Sequence, residues 1–388
     1  MTAGRPYPIT AYSLCNALGL TTAEVAEALF AGRSGLGPPP IEVPFETVCG
    51  ALPAAPPAAL SRYDTRVFRM VLAALEGMER EVRRAVARRG AGRVAVVLGT
   101  STGGIEHTED AWFELRRTGR IPEGYDFLYR HPFHLVAEGL GELLGARGPR
   151  YVISTACSSS GKALASARRL LDAGLADAVV AGGVDGLCQT TLRGFHSLGI
   201  LSPRACRPFG QGRDGISIGE GAALLLVERD GDGTSLLLGV GESADGYHMS
   251  APDPEGRGAR AAMLAAIAEA GLEPRDVDHV NAHGTGTPQN DAAEARAILE
   301  VLGDQVPVVS TKGYTGHLLA AGGATEAIFG ILSLDRGLVP ASLGAAPCDE
   351  TVGMRIPLGC IEHACRTVLS NSFGFGGSNA SVLLGRAP

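Results

Sequence analysis

Short apolar segments that alternate with longer stretches of helical periodicity most constrain the fold of this chain. RVAVVLGTS (93–101) and ADAVVAGGVD (176–185) are continuous apolar runs of the kind that form buried strands. A helical pattern precedes each of them, over about 66–89 and about 157–173. Two further strands are predicted to end in polar residues, DHVNAHGTGT (278–287) and VPVVSTKG (306–313). This order predicts an α/β protein with largely buried sheets.

Two similar segments indicate an internal duplication. GISIGEGAALLLVER (215–229) and FGFGGSNASVLLGR (373–386) both run from a glycine-rich turn into an apolar strand. We interpret them as the closing strands of two fused α/β halves, which cover 1–230 and 231–388. The segment DGDGT (230–234) is the best candidate for the boundary between the two halves.

Composition excludes several classes of protein. The 388 residues carry a net charge of -7, which argues against a general nucleic-acid binder. No charge-free stretch reaches the roughly 20 residues that a membrane-spanning helix needs, and no secretory signal is apparent. The eight cysteines form no disulfide framework, so we expect a cytoplasmic location. Cys360, His363 and Cys365 match no usual zinc spacing, and no metal is expected.

Cys157 lies where an apolar strand gives way to a helix, within YVISTACSSSGKALASARRLL. The unsatisfied N–H groups and the positive dipole end of a helix N-terminus favour a thiolate, which is the nucleophilic form of cysteine. A small buried structural cysteine would also suit this position. The segment by itself leaves both interpretations open.

Two histidines follow predicted strands in the second half of the chain. His283 lies in NAHGTGTP and His317 in STKGYTGHLLAAGG, both among small residues. Lys312 needs an acidic partner in so apolar a segment, and Glu326 is the nearest acid. Either histidine, taken alone, could equally be a satisfied core residue. His279 is predicted to lie only on the surface of its strand.

A glycine-rich segment, SNSFGFGGSN (370–379), cannot form the interior of a strand. It is predicted to form a loop whose N–H groups are available for hydrogen bonding. An ordinary turn into the last strand is the alternative.

Four of these segments together carry a resemblance to a known family. TACSSS, HGTGTP, STKGYTGHLLAAGG and NSFGFGGSN, in this order, resemble the motifs of the β-ketoacyl-acyl carrier protein synthases, a family of condensing enzymes. The similarity runs from about residue 8 to the C-terminus. It implies an α/β thiolase-like fold, with two duplicated α/β halves in a five-layered α-β-α-β-α core. The histidine at position 317 places the chain with the Cys-His-His elongating type.

The resemblance implies a decarboxylative Claisen condensation of an acyl thioester with malonyl-acyl carrier protein, in fatty acid, polyketide or aryl-polyene biosynthesis. No cofactor is implied beyond the phosphopantetheine arm of the acyl carrier protein, which carries the substrates. The implied partners are that carrier protein and either a second copy of the chain or a chain-length-factor-like subunit. The alternatives are a non-elongating malonyl decarboxylase, a subunit that acts only beside a partner, a scaffolding subunit and a cysteine hydrolase.

The resemblance also assigns roles at the reacting atoms. Cys157 is the expected nucleophile, and His283 and His317 are expected to donate hydrogen bonds to the malonyl thioester carbonyl. Lys312, paired with Glu326, is expected to hold His317 in place rather than to act as a base.

Further roles concern the oxyanion and the binding of substrate. The backbone N–H groups of Phe375 and Cys157 are expected to hold the oxyanion. Thr285 and Thr287 match positions that contact the pantetheine arm, although both residues also suit an ordinary turn. Pocket depth is expected to involve residues 100–135. Three arginines are candidates for docking an acidic carrier protein, and each also suits a solvated surface: Arg62, Arg66 and Arg204.

Overall fold

Ten strands form one hydrogen-bonded sheet in the computed structural model, which describes residues 4–56 and 62–387. Two more strands, β9 and β10, pair with each other outside it. In chain order the strands are β1 (Tyr7–Asn16), β2 (Val94–Gly99), β3 (Arg150–Ile153), β4 (Ala178–Asp185), β5 (Gly221–Glu228), β6 (Ser235–Ala244), β7 (His279–Asn281), β8 (Val308–Val309), β9 (Leu338–Val339), β10 (Ile361–Glu362), β11 (Thr367–Gly374) and β12 (Ser378–Arg386).

Helices fill most of the connections between these strands. Within the described ranges, none of them is both long and apolar enough to cross a lipid bilayer. In chain order they are α1 (Thr22–Phe30), α2 (Arg66–Glu76), α3 (Glu79–Arg89), α4 (Ile105–Thr118), α5 (Phe127–Arg130), α6 (Leu135–Leu144), α7 (Ser159–Asp172), α8 (Gln189–Ser197), α9 (Arg257–Glu269), α10 (Pro288–Leu302), α11 (Lys312–Thr315) and α12 (Gly322–Arg336).

The strand order repeats on the two sides of the sheet. From the central pair β1 and β6, one side runs β5, β4, β2, β3 and the other runs β12, β11, β7, β8. On each side the first strand after the centre is antiparallel to both neighbours, and the outer three strands are mutually parallel. The similar segments 215–229 and 373–386 contain β5 and β12, which occupy equivalent places. A division of the chain into folding units after Asp230 stays a prediction.

Two buried helices, α7 and α12, lie between the two halves of the sheet. Each contacts strands of both halves. On the outer side of the first half, α2, α3 and α6 cover the strands, and α9 with α10 covers the second half. The result is a five-layered α-β-α-β-α core, as expected from the sequence.

Glycines at the crossing of α7 and α12 allow the two helices to approach closely. A Cβ atom on Gly323 would lie 2.8 Å from the backbone nitrogen of Gly161. Close by, the N–H of Ala324 donates a hydrogen bond to Ser160 Oγ at 2.9 Å. The N-terminal ends of the two central helices are therefore held together.

One predicted helix is interrupted. The pattern over 66–89 forms two helices, α2 and α3, because the chain leaves helical geometry at Met78, where φ is -141° and ψ is 4°. Both helices still pack on β1.

Two predicted strands are shorter than expected. The segment 278–287 contains only β7, and 306–313 contains only β8. Their parallel pairing ends at Asn281 and Val309. The residues after β7 form a loop that leads to α10, and those after β8 lead directly to the short helix α11.

His279 lies inside the protein, so its predicted place on the strand surface is wrong. The residue is only 1% exposed, and its Nδ1 atom lies 3.0 Å from the carbonyl oxygen of Pro307. Burial lowers the pKa of His279 to about 4, so the ring is neutral. The residue is covered because β7 lies in the interior of the sheet and α12 packs against it.

The helix crossing leads to a stability prediction. Gly323→Ala should lower the free energy of unfolding by about 1–3 kcal/mol, because its Cβ would overlap backbone atoms that cannot move independently. Gly330→Ala on the same helix is the control, since its Cβ would meet only side-chain carbons of Val368 and Leu384 at 3.1–3.2 Å. Urea denaturation of both variants checks the difference, and equal losses would contradict it.

Candidate active site

Cys157 lies in a tight turn between β3 and α7. Ala156 before it has a φ of 52°, a left-handed conformation that costs a non-glycine residue about 1–3 kcal/mol. Hydroxyl groups hold the turn: Ser158 Oγ donates to the carbonyl oxygen of Thr155 at 2.8 Å, and Ser159 Oγ accepts from the N–H of Thr155 at 2.9 Å. These contacts hold Cys157 against a pocket that it lines.

His317 lies in the loop between α11 and α12, next to Cys157. Its N–H donates to the carbonyl oxygen of Ser217 at 2.7 Å, and its own carbonyl oxygen accepts from the N–H of Gly219 at 2.9 Å. Its Nε2 lies 2.9 Å from the Sγ of Cys157. The ring is therefore positioned by backbone pairing and can exchange a proton with the thiol.

His283 completes the group from the loop after β7. A buried carboxylate, Glu294, accepts the N–H groups of His283 and Gly284 at 2.8 and 2.7 Å and so holds this loop. The ring of His283 meets that of His317 edge-on, with centroids 5.2 Å apart. One ligand-type atom from each of Cys157, His283 and His317 lies within 4.8 Å of the others. The structure thus brings together three residues that are far apart in sequence.

Burial determines the charge of this group. Loss of water raises the pKa of the Cys157 thiol to about 12, although Lys312 and the backbone N–H of Phe375 act in the opposite direction. Burial, with Lys312, also holds the pKa of His283 and of His317 well below 6.5. Burial therefore favours a neutral thiol that faces neutral imidazoles, and it acts against the thiolate that a helix N-terminus by itself favours.

Lys312 is paired with Glu326 beneath the histidines. Its Nζ lies 2.6 Å from Oε1 of Glu326, and both side chains are buried. Burial raises the pKa of Glu326, and the charge of Lys312 opposes that shift. The ammonium group of Lys312 is therefore already paired with a carboxylate, which favours a supporting role for Lys312 over direct proton transfer.

Only Phe375–Gly377 of the predicted loop 370–379 forms a turn, because 370–374 belongs to β11 and 378–379 belongs to β12, and the two strands pair directly. The prediction that this segment cannot form a strand is therefore wrong for those residues. The turn and the end of β11 lie against the Cys157 turn. A Cβ on Gly374 would come within 2.8 Å of the carbonyl oxygen of Thr155, so only glycine allows this approach. The backbone N–H of Phe375 is directed at the sulfur of Cys157, as is the N–H of Cys157 itself. Two backbone donors therefore converge where an oxyanion would form on a thioester attacked by this sulfur.

A pocket of about 210 Å³ leads to the three residues. Thr285 and Thr287 line it, and their hydroxyl oxygens lie 2.9 Å apart. The sequence analysis did not single out Phe195, which lines the pocket and packs its ring 5.7 Å from that of Phe375. No lining residue of this pocket belongs to 100–135, so that segment does not shape it.

The three predicted docking arginines have different surroundings. Arg66 Nε donates to the fully buried carboxylate of Glu220 at 2.8 Å, which makes Arg66 the counter-charge of a core acid. Arg62 and Arg204 remain at the surface, where each pairs with an acid: Glu142 at 2.9 Å and Asp214 at 2.7 Å. Of the three, Arg62 and Arg204 are the more exposed, with 53% and 71% of the side chain accessible against 32% for Arg66.

The sequence analysis missed two buried acids that organise the site, Glu294 and Asp185. Glu294 lies on α10, in PQNDAAEARAILEVL, where acids at helical spacing resemble an exposed face. Burial raises its pKa to about 7, and its two backbone donors lower it. Its place on this helix gave no signal in the sequence that the side chain is buried.

The three site residues also carry atoms of the types that bind metal ions. Across 4–56 and 62–387, only Cys157, His283 and His317 form a group of three or more such side chains with converging ligand atoms. One sulfur and two imidazole nitrogens are donors that Zn²⁺ favours. The motif Cys360–His363–Cys365 does not form such a group.

The five-layered core and the cysteine with two histidines define a thiolase-like condensing enzyme. The profile of the β-ketoacyl synthase N-terminal domain matches residues 8–232, and that of the C-terminal domain matches 234–346. The chain therefore belongs to the β-ketoacyl synthase family, a family of acyltransferases.

Two similar curated proteins carry the name 3-oxoacyl-[acyl-carrier-protein] synthase 2. The protein of Vibrio cholerae serotype O1 is 36% identical over 320 residues, which cover 76% of each chain. A Staphylococcus aureus protein is 36% identical over 313 residues, which cover 76% of this chain and 77% of the relative.

Solved structures agree in fold over nearly the whole chain. A ketosynthase from Xenorhabdus doucetiae, in complex with its chain length factor, gives a TM-score of 0.93 at 38% identity, covering 99% of this chain and 98% of the other. The ishigamide ketosynthase/chain length factor gives 0.92 at 26% identity, with full coverage of both chains.

The buried ion pair leads to a stability prediction. Lys312→Met should lower the free energy of unfolding by about 3–5 kcal/mol, because it leaves the carboxylate of Glu326 buried without a counter-charge. The double variant Lys312→Met/Glu326→Leu should recover most of that loss. Arg260→Met, which breaks an exposed pair with Glu300, is the control and should cost less than about 1 kcal/mol. Chemical denaturation measures all three, and an unrecovered double variant would contradict the ion-pair explanation.

Proposed function

We propose that this protein is a β-ketoacyl-acyl carrier protein synthase that joins an acyl thioester to malonyl-acyl carrier protein by decarboxylative Claisen condensation. The observation that carries the proposal is the 2.9 Å contact between Cys157 Sγ and His317 Nε2, with His283 directly beside both. The names of the curated relatives support the same chemistry.

The first step transfers the acyl group to Cys157. As the sulfur attacks the thioester carbonyl, its proton passes to His317 and then to the departing pantetheine thiolate. This transfer suits a thiol whose pKa is raised to about 12, because the neutral imidazole lies within hydrogen-bonding distance. The N–H groups of Cys157 and Phe375 stabilise the tetrahedral oxyanion, and one such donor is worth about 2.7–4 kcal/mol.

The second step uses the same site on a malonyl thioester. His283 and His317, the latter now in the tautomer that carries its proton on Nε2, each donate one N–H to its carbonyl oxygen, so that negative charge gathers there as CO₂ leaves and an enolate forms. The enolate carbon attacks the acyl group on Cys157, the sulfur departs, and the product is a 3-oxoacyl thioester two carbons longer. Neutral imidazoles suit this role because each offers a donor without a full charge in a dry pocket.

Both substrates are proposed to arrive on the phosphopantetheine arm of an acyl carrier protein, with no resident cofactor. The pocket mouth supports this, since the hydroxyls of Thr285 and Thr287 can bind the amides of the arm. Arg62 and Arg204, at the surface, are the proposed contacts to the acidic carrier protein. We place the reaction in the cytoplasm.

We further propose that the chain acts as a dimer, with a second copy or with a chain-length-factor-like subunit. The edge strand β3 pairs only with β2 among the described strands. Between these two strands the chain exposes several large apolar side chains: Trp112, Phe113, Ile121, Phe127 and Leu128. The similar Xenorhabdus doucetiae ketosynthase has a chain length factor as partner. A partner-dependent subunit in a polyketide or aryl-polyene pathway, or a fatty acid enzyme, is consistent with this arrangement.

The assay of this proposal separates its two steps. Purified protein, tested alone and with a chain-length-factor-like subunit, should convert acyl- and malonyl-carrier protein into 3-oxoacyl-carrier protein, detected by mass spectrometry. Cys157→Ala should abolish this product but retain release of CO₂ from malonyl-carrier protein, because both imidazoles remain. His283→Ala should lower CO₂ release by at least about tenfold, in line with the loss of one positioned donor.

Three outcomes would contradict the proposal. CO₂ release without any condensation product, with or without the partner subunit, would favour a malonyl decarboxylase. Free fatty acid as the product would favour a hydrolase. Full condensation activity of Cys157→Ala in a complex would make this chain a scaffolding subunit.

A further inference from the structure

Asp185, at the last position of β4, is fully buried and accepts five hydrogen bonds. Its Oδ1 accepts four of them, at 2.8–2.9 Å, from the loop after β2: Thr100 Oγ1, Ser101 N, Thr102 N and Thr102 Oγ1. Its Oδ2 accepts the fifth from the N–H of Ala320 at 2.8 Å. A single carboxylate therefore joins two loops that are more than 200 residues apart in sequence.

The fifth hydrogen bond fixes the turn that follows His317. Ala320 lies three residues after His317, in the short turn before α12. Leu319, between them, has a φ of 50°, a left-handed conformation that persists in a non-glycine residue only where the surroundings enforce it. The Asp185–Ala320 bond is such an enforcing contact, and loosening it would release the turn that carries His317.

The same strand end also supports the turn that carries Cys157. A Cβ on Gly183 would lie 2.8 Å from both the Cβ of Ser160 and the carbonyl oxygen of Ala320. A Cβ on Gly99, in the neighbouring β2, would lie 2.6 Å from the backbone nitrogen of Ser160. The ends of β2 and β4 are thus packed directly against the start of α7 and the 319–321 turn.

We propose that Asp185 is a positioning residue for the condensation reaction, which fixes His317 relative to Cys157 and places a negative charge behind the thiol. It does not line the substrate pocket, so it acts only through these two residues. The inference rests on the proposed function for its effect on turnover, whereas the hydrogen bonds of Asp185 and the effect of its charge on the thiol do not depend on that function.

The charges that face Cys157 come from several elements. Asp185 raises the pKa of the thiol, whereas Lys312 on α11 and the N–H of Phe375 lower it. The imidazoles of His283 and His317 are neutral. Burial raises the pKa of Asp185 itself, and its hydrogen-bond donors lower it. Removing the charge of Asp185 must therefore lower the pKa of the thiol.

Asp185→Asn is the decisive variant because it preserves shape. Its amide oxygen can keep the four donors of the 100–102 loop, which leaves an NH₂ group facing the N–H of Ala320. We expect kcat for condensation to fall by about 10- to 100-fold, as for a reacting group displaced by up to 1 Å, with KM for acyl-carrier protein changed less than about threefold. The pH midpoint of Cys157 alkylation by iodoacetamide should shift to lower pH.

Thr102→Val is the matched control. It removes one hydrogen bond to Oδ1 but keeps the charge of Asp185 and its bond to Ala320. We expect stability to fall while kcat stays within about twofold of wild type and the alkylation midpoint is unchanged. A merely structural Asp185 would instead lower kcat in both variants in proportion to stability, with neither midpoint moved, and that result would overturn the proposal.

A measurement on the wild-type protein covers the case in which Asp185→Asn does not fold. Hydrogen exchange of the Ala320 amide should be as slow as that of the buried amides of α12. Fast exchange of this amide would show that Asp185 does not hold the Ala320 turn, which would overturn the proposal. The alkylation midpoint needs no substrate, so it also separates this inference from the proposed function. A midpoint shift in a protein that does not condense acyl groups would support Asp185 and reject the condensation.

Discussion

The close crossing of α7 and α12 is the contact on which the rest of the structure depends. Backbone meets backbone at Gly161 and Gly323, so the two helices begin almost at the same point in space. Because Cys157 directly precedes the first helix and His317 closely precedes the second, this crossing sets the 2.9 Å spacing of sulfur and nitrogen. The strands on both sides of these helices, and the outer helices beyond the strands, keep water out of this junction.

Exclusion of water has opposite effects on the two kinds of ionisable group. It raises the pKa of the thiol and lowers the pKa of the imidazoles, so the sulfur and both imidazoles are uncharged at rest. In such a site a hydrogen bond to a developing oxyanion is worth more than in water. Chemistry that gathers charge only briefly, on a carbonyl oxygen, is therefore suited to this environment.

The reactive residues could be predicted from the sequence more reliably than the buried acids that hold them in place. Cys157, His283 and His317 each follow an apolar strand and precede small residues, and the isolation of Lys312 in an apolar segment indicated a buried acid. Asp185 and Glu294 gave no such signal, because an acid near a strand end or on a helix usually faces water. The protonation state of the Cys157 thiol could not be predicted from the sequence either, because it depends on how deeply the N-terminus of α7 is buried.

The repeated strand order gives the two reacting groups a shared origin. Cys157 follows β3 and precedes α7, and His317 follows β8 and precedes α12, which are equivalent positions in the two halves. In two identical, unfused copies related by a twofold axis, the same side chain would have to face itself across that axis. Joining the copies into one polypeptide lets one position hold the cysteine while the equivalent position holds the histidine that accepts its proton. Fusion of the two halves thus allows two different side chains, Cys157 and His317, to occupy equivalent positions and to act as a catalytic pair.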